Sequence, residues 1–201
     1  VLKIAVPTGR MGEAAVEVFE RAGFDCSGFN GTRKLIRQIG SMQIIRVKPS
    51  DVAVYVEHGV ADVGIVGKDI LMETEPDVFE LRDLGFGACR MAVAAPEGFR
   101  DQGDMILKVA TKYPHVATKY FGAKNRPTEI IPLNGSIEIA PLVGLSHVIV
   151  DIVETGTTLR ENGLVIVEVI AESSARFIAN QASYQFKRDE IEKLLSAWRL
   201  R

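Results

Sequence analysis

Short apolar runs rich in β-branched residues recur along the chain. Each is closed by glycine, proline or a small polar residue and followed by an amphipathic stretch. This alternation constrains the fold more than any other feature. Strands that are apolar on both faces need covering on both sides, and intervening helices supply the cover, so the pattern predicts an α/β fold with a largely parallel sheet. Strands are expected at Leu2–Val6, Met42–Val47, Val63–Val66, Met91–Ala95, Leu107–Ala110, Glu129–Ile131, Val148–Val150 and Leu164–Ala171. Met11, Ala14, Ala15, Val18, Phe19 and Ala22 follow helical spacing, with Gly23 as the stop. Ser50 is placed to cap a helix over Val52, Tyr55 and Val56 that ends at Gly59. The tail from Lys187 to Arg201 reads as a helix with Ile191, Leu194, Leu195 and Trp198 on one packing face. The pentapeptide Val-Ala-Thr-Lys-Tyr occurs twice, at Val109–Tyr113 and Val116–Tyr120. The first copy reads as a strand end and the second as a helix, a coincidence rather than a repeat architecture.

The 201 residues suffice for one large domain or two small ones, each with a core. A net charge of −2 gives no support to a nucleic-acid or membrane surface. Cys26 and Cys89 match no zinc or redox spacing, which suits a reducing compartment. The opening run Val1–Val6 is too short for a signal peptide, and no later run could span a bilayer, so a cytoplasmic protein is expected. Loop-rich joins are expected near Leu84–Gly87 and Ser173–Arg176, with two lobes joined by more than one crossing.

The chemistry concentrates in His147–Gly163, HVIVDIVETGTTLRENG. An apolar strand that ends in Thr155-Gly156-Thr157-Thr158 and then enters a short helix has the form of a phosphate cup. Glycine allows the sharp turn, amides at the helix start face an anion, and threonine hydroxyls add donors. Asp151 and Glu154 beside such a cup make sense if the ligand is a sugar phosphate, because a carboxylate accepts from a vicinal diol and helps hold Mg²⁺. The same residues also suit an ordinary strand–turn–helix with capping threonines and solvated acids. Elsewhere, Lys68 and Asp69 follow a strand at Gly67, and Thr111 and Lys112 end another, both standard places for ligand contact. Gly135-Ser136 opens a further helix, with Glu138 close behind. Arg10 follows Gly9 at the start of the first helix, where a cation opposes the dipole unless an anion docks there. Arg33 stands in a polar loop before Leu35 and Ile36.

The run Glu138–Leu159, EIAPLVGLSHVIVDIVETGTTL, resembles the signature of the ATP phosphoribosyltransferase family. Val6–Arg10, Arg33–Ile36, Tyr55–Gly59, Gly64–Asp69, Leu84–Gly87 and Ala175–Asn180 resemble further family segments in the same order, so the likeness covers essentially the whole chain. Thr8 departs from the pattern, since many members carry lysine there. The resemblance implies a two-lobed fold like type II periplasmic binding proteins. Residues 1–88 plus 176–201 would form one lobe and 89–175 the other, with the active site in the cleft between them. It implies transfer of the phosphoribosyl group of phosphoribosyl pyrophosphate (PRPP) to N1 of ATP, with Mg²⁺, in the first step of histidine biosynthesis. Under it Asp151, Glu154, Thr155, Gly156, Thr157, Thr158 and Glu138 bind PRPP. Gly9, Arg10, Lys68, Asp69, Thr111, Lys112, Gly135 and Ser136 bind ATP or pyrophosphate, and Arg10 and Arg33 act on the reacting groups.

Adenine N1 carries a free lone pair, so no catalytic histidine is needed, and His58, His115 and His147 are expected to be surface or packing residues. With the chain ending at Arg201, the resemblance also implies the short form of the enzyme. That form is a dimer unit within a hetero-oligomer that includes a regulatory subunit resembling histidyl-tRNA synthetase. The rival readings are a non-catalytic nucleotide or sugar-phosphate sensor of the same fold, and a phosphoribosyltransferase with another acceptor.

Overall fold

The computed structural model describes residues 1–21, 23–26 and 34–198. In chain order the elements begin β1 (Leu2–Pro7), α1 (Arg10–Arg21), β2 (Ile36–Ile39), β3 (Met42–Val47), α2 (Val52–Glu57), β4 (Val63–Gly67), α3 (Lys68–Thr74), β5 (Phe79–Asp83) and β6 (Cys89–Pro96). They continue with β7 (Leu107–Thr111), α4 (Pro114–Ala123), β8 (Thr128–Pro132), α5 (Ile139–Leu142), β9 (Val148–Val153), α6 (Thr157–Glu161), β10 (Leu164–Ser173), β11 (Ala175–Ala179), α7 (Gln181–Phe186) and α8 (Arg188–Ala197).

The chain divides into two compact units. The first comprises Val1–Leu71, Glu75–Gly87 and Ser174–Arg201, and the second Met72–Thr74 and Ala88–Ser173. The first unit holds a six-stranded sheet in the order β2-β3-β1-β4-β11-β5. Its centre is parallel, with Leu2 opposite Met42 and Ile4 opposite Val63, whereas β2 and β11 run antiparallel to their neighbours. The second unit holds a five-stranded sheet in the order β10-β6-β9-β7-β8, parallel from β9 to β8 and antiparallel at β6 and β10. The expectation of a largely parallel sheet therefore holds only for the middle of the first sheet and for one side, β9-β7-β8, of the second. Only one residue, Ser174, separates β10 from β11, so the chain passes straight from one sheet into the other and each sheet receives an antiparallel strand.

In the first unit Ile4, Val6, Phe19, Ile44, Ile65, Phe177, Ile191 and Leu194 form the core. Trp198 completes it edge-to-face, with ring centroids 5.5 Å from Phe19 and 4.9 Å from Phe177, a geometry that favours aromatic pairs. The expected packing stripe of the tail is thus core and lies on α8, which a separate short helix, α7, precedes. Gly23 ends α1 in the left-handed region, φ +87°, as expected of a helix stop; Ala22 lies outside the described residues. Ser50 does not cap α2. It lies inside a short 3-10 turn at Pro49–Asp51, and its hydroxyl donates to Asp51 Oδ1 at 2.8 Å. In the second unit the core is built from Ala92, Ala94, Ala110, Ile149, Val153, Leu159 and Leu164. The two pentapeptide copies fall on β7 and α4 as read, because the first lies in a buried strand and the second follows Pro114 at a helix start. The Glu73 carboxylate accepts from the amides of His115 and Val116, each at 3.0 Å, and so caps α4 from a distant part of the chain.

Candidate active site

In a parallel sheet the carboxyl ends of the strands share one edge, and the segments that follow them are brought together. In the second unit Thr111 stands opposite both Val150 and Pro132, so β7 and β8 finish level while β9 runs on to Val153. Beyond that edge lie Thr111 and Lys112 after β7, Gly135, Ser136 and Glu138 after β8, and Asp151 with the Glu154–Thr158 turn on β9. In the first unit Pro7 stands opposite Val47, and β4 ends at Gly67 beside β1. Gly9 and Arg10 follow one strand and Lys68 and Asp69 the other. A β-carbon on Gly67 would lie 3.6 Å from Met11 Cε, so the start of α1 abuts the end of β4. The expected residues thus form two groups, one in each unit. Arg33 lies outside the described residues.

The turn after β9 has the local form that its small residues predict. Gly156 occupies the left-handed region at φ 73°, and the first turn of α6 closes where the Arg160 amide donates to the Gly156 carbonyl at 3.1 Å. A helix leaves its first amides without intrahelical partners, here those of the residues just after Gly156. The Thr155 and Thr157 hydroxyls lie 3.0 Å apart. Thr155, Thr157 and Thr158 are exposed, while Leu159 turns into the core. Asp151 is half-buried, and one of its carboxylate oxygens accepts from the Ile152 amide at 2.8 Å. Ser136 adopts φ 50°, a left-handed conformation unusual for a residue with a side chain, in the loop that presents Gly135 and Glu138.

Two expected ligand residues are engaged within the protein. The Thr111 hydroxyl is fully buried; it donates to the Val150 carbonyl at 2.6 Å and accepts from the Tyr113 amide at 2.8 Å. The first bond ties β7 to β9 and the second fixes the turn that leads into α4. Lys68 is half-buried, and its ammonium donates to Glu80 at 2.5 Å. Glu80 also pairs with Arg176 at 3.3 Å, and Arg176 reaches Asp83 at 3.2 Å. The amide of Gly85 donates to the Asp83 carboxyl. Together with the Ser174 hydroxyl and the Arg176 charge, it outweighs desolvation and holds that carboxyl below the usual range. This charged cluster beside Lys68 went unread because its members lie far apart in sequence.

Arg160 was also missed, although it stands four residues after Gly156. Its guanidinium donates to the Thr155 carbonyl at 3.1 Å and to the Thr157 hydroxyl at 3.2 Å. A basic residue one helical turn past the glycine was the available signal. Of the histidines, His147 accepts from the Lys108 amide through Nδ1 at 3.0 Å, a packing role as expected.

The chain is similar to known proteins in sequence and fold. The model of the ATP phosphoribosyltransferase family matches residues 48–199. The ATP phosphoribosyltransferase of Clostridioides difficile is 53% identical over 96% of this chain and 95% of its own. The structure of the ATP phosphoribosyl transferase (HisG:HisZ) complex from Thermotoga maritima matches with a TM-score of 0.88 and 36% identity, over 99% of this chain and 96% of that one. The periplasmic aliphatic sulphonate binding protein SsuA of Escherichia coli, at 10% identity and a TM-score of 0.62 over 98% of this chain and 70% of its own, shares the fold alone. With a family model matched over most of its length and a relative about half identical from end to end, the chain belongs to the ATP phosphoribosyltransferase family.

Proposed function

We propose that the chain transfers the phosphoribosyl group of PRPP to N1 of ATP and releases pyrophosphate, the first step of histidine biosynthesis. The observation that carries this reading is the Thr155–Thr158 turn at the end of β9, with Asp151 just before it, in a chain of this family. The exposed hydroxyls and the leading amides of α6 receive the 5′-phosphate. Asp151, aided by Glu154 and Glu138, accepts from the ribose hydroxyls. Arg10, Arg33, Lys68, Lys112 and the Gly135–Ser136 turn receive the triphosphate and pyrophosphate, with Gly9 and Asp69 shaping the two strand ends.

The acceptor nitrogen needs no base. The barrier lies in breaking the bond between C1 and the pyrophosphate oxygen, which leaves positive charge on the sugar and negative charge on the leaving group. Fixed cations aimed at that oxygen lower it without reorganising at the moment of reaction.

Among the described residues no three His, Cys, Asp or Glu side chains converge as a cage for a metal ion. One or two carboxylates stand beside the phosphate turn instead, the donor set that suits Mg²⁺ held partly by substrate phosphates. Asp151 and Glu154 would hold it, and when bound it neutralises charge on the pyrophosphate. Cys26 and Cys89 form no disulfide, which suits the reducing cytoplasm in which we place the reaction. The Thermotoga maritima protein is described as a two-component complex. We extend that assembly to this chain, as a dimer unit joined by a regulatory subunit resembling histidyl-tRNA synthetase.

Incubation with PRPP, Mg²⁺ and ATP, with the regulatory subunit present, is expected to release pyrophosphate. Release with adenine or orotate but not with ATP would assign a different acceptor, and no release with any acceptor would leave a sensor. No helix among the described residues is long and apolar enough to cross a membrane.

A further inference from the structure

The turn that carries the proposed phosphate site has little packing of its own. Thr155, Thr157 and Thr158 are exposed, and the glycine among them has the widest conformational freedom of any residue. Such a segment, left unbraced, loses conformational entropy when a ligand orders it, and affinity falls by that cost. Arg160 supplies a brace. One guanidinium nitrogen donates to the Thr155 carbonyl at 3.1 Å and the other to the Thr157 hydroxyl at 3.2 Å, so a single planar fork spans the glycine. A β-carbon on Gly156 would stand 3.2 Å from that guanidinium, which places the fork directly against the turn. The hydrogen bond between the Thr155 and Thr157 hydroxyls, 3.0 Å long, closes the same small ring. The base of the fork is anchored because Leu159, its neighbour on α6, is buried in the core of the second unit.

We propose that Arg160 is a positioning residue for PRPP: it holds the Thr155–Thr157 turn in its phosphate-receiving form before the ligand arrives. The proposal rests on the reading that this turn takes the 5′-phosphate. It assigns Arg160 an effect on PRPP affinity and none of its own on the reacting atoms. The guanidinium acts through the geometry of its donors, so an uncharged side chain that keeps amide donors retains part of the effect.

The test is calorimetric binding of PRPP with Mg²⁺, and separately of ATP, to the full chain and to R160M, R160Q, R160K and T158A. In R160M the Kd for PRPP is expected to rise about tenfold, as the loss of two hydrogen bonds implies, with the Kd for ATP changed less than about twofold. R160Q and R160K are expected to lie between R160M and the parent. Hydrogen exchange at residues 155–158 should quicken in ligand-free R160M, and kcat at saturating PRPP should stay within about threefold. PRPP affinity unchanged in R160M while T158A loses it would overturn the brace. So would equal losses of PRPP and ATP, or an R160Q as weak as R160M beside an unimpaired R160K, which would mean that charge rather than bracing matters. If T158A and R160M both bind PRPP like the parent, the phosphate reading of the turn fails, and the brace fails with it.

Discussion

A β-carbon on Gly12 would stand 1.8 Å from the Pro7 carbonyl oxygen. Helix α1 therefore approaches the end of β1 more closely than any side chain allows, and Gly9 and Arg10 are held at the strand end as a result. Gly12→Ala is expected to cost about 3 kcal/mol, the upper range for overpacking, read as a lower urea midpoint; a shift too small to measure would mean that the helix slides freely. Arg10 is exposed at the first position of the same helix, where a cation opposes the dipole. Arg10→Ala is expected to reduce kcat about 10²-fold while moving stability by no more than about 0.5 kcal/mol. Full turnover in the variant would remove Arg10 from the site. The reach of these two residues differs in the sequence. The glycine after Thr8 reads as a helix start, but the clash at Gly12 depends on the distance between a helix and a strand, which no local pattern records.

At the level of elements, Asp62 just before β4 ties the tail to the sheet. Its carboxylate accepts from the Lys3 amide on β1 at 2.8 Å, the Ser183 hydroxyl on α7 at 2.7 Å and the Lys187 ammonium at 2.8 Å. Burial alone would raise this carboxyl. The Lys187 and Lys3 hydrogen bonds, then those of Ser183 and the Lys187 charge, outweigh it and hold the carboxyl below the usual range. A carboxyl depressed on folding contributes stability above its unfolded value, near pH 4, and loses it as pH falls through the folded value. Asp62→Asn should therefore destabilise the chain by about 1.5–3 kcal/mol at neutral pH and flatten the decline below about pH 4, as followed by urea unfolding against pH. An unchanged acid limb would show that Asp62 titrates alike in both states. Three strands escaped the sequence reading: β11, ARFIA, which lies inside its sheet, and β2, IRQI, and β5, FELRD, which lie at the two edges. An edge strand has fewer buried positions, so charged residues interrupt its apolar run until it resembles a loop.

For the whole molecule, the return of the chain matters most. β11 lies between β4 and β5, with Ala175, Phe177, Ile178 and Ala179 fully buried, so the first unit is completed only by residues that follow the second. A chain ending after Ser173 is expected to lose amide protection throughout β1 and β4, measured by hydrogen exchange; protection at parent levels would show that the first unit folds without its return strand. The sequence by itself determined the α/β class, the inner strands β1, β3, β4, β7 and β9, and the glycine-bearing turns at their ends. Inner strands are buried on both faces, and that demand writes an apolar run into consecutive residues. The insertion of β11, the engagement of Thr111 with Val150 and the union of Asp62 with Lys187 were decided only by the tertiary structure. Each joins groups through backbone geometry or across sequence distance, and which partner meets which is settled by the packing of the whole chain rather than by any pattern of neighbours.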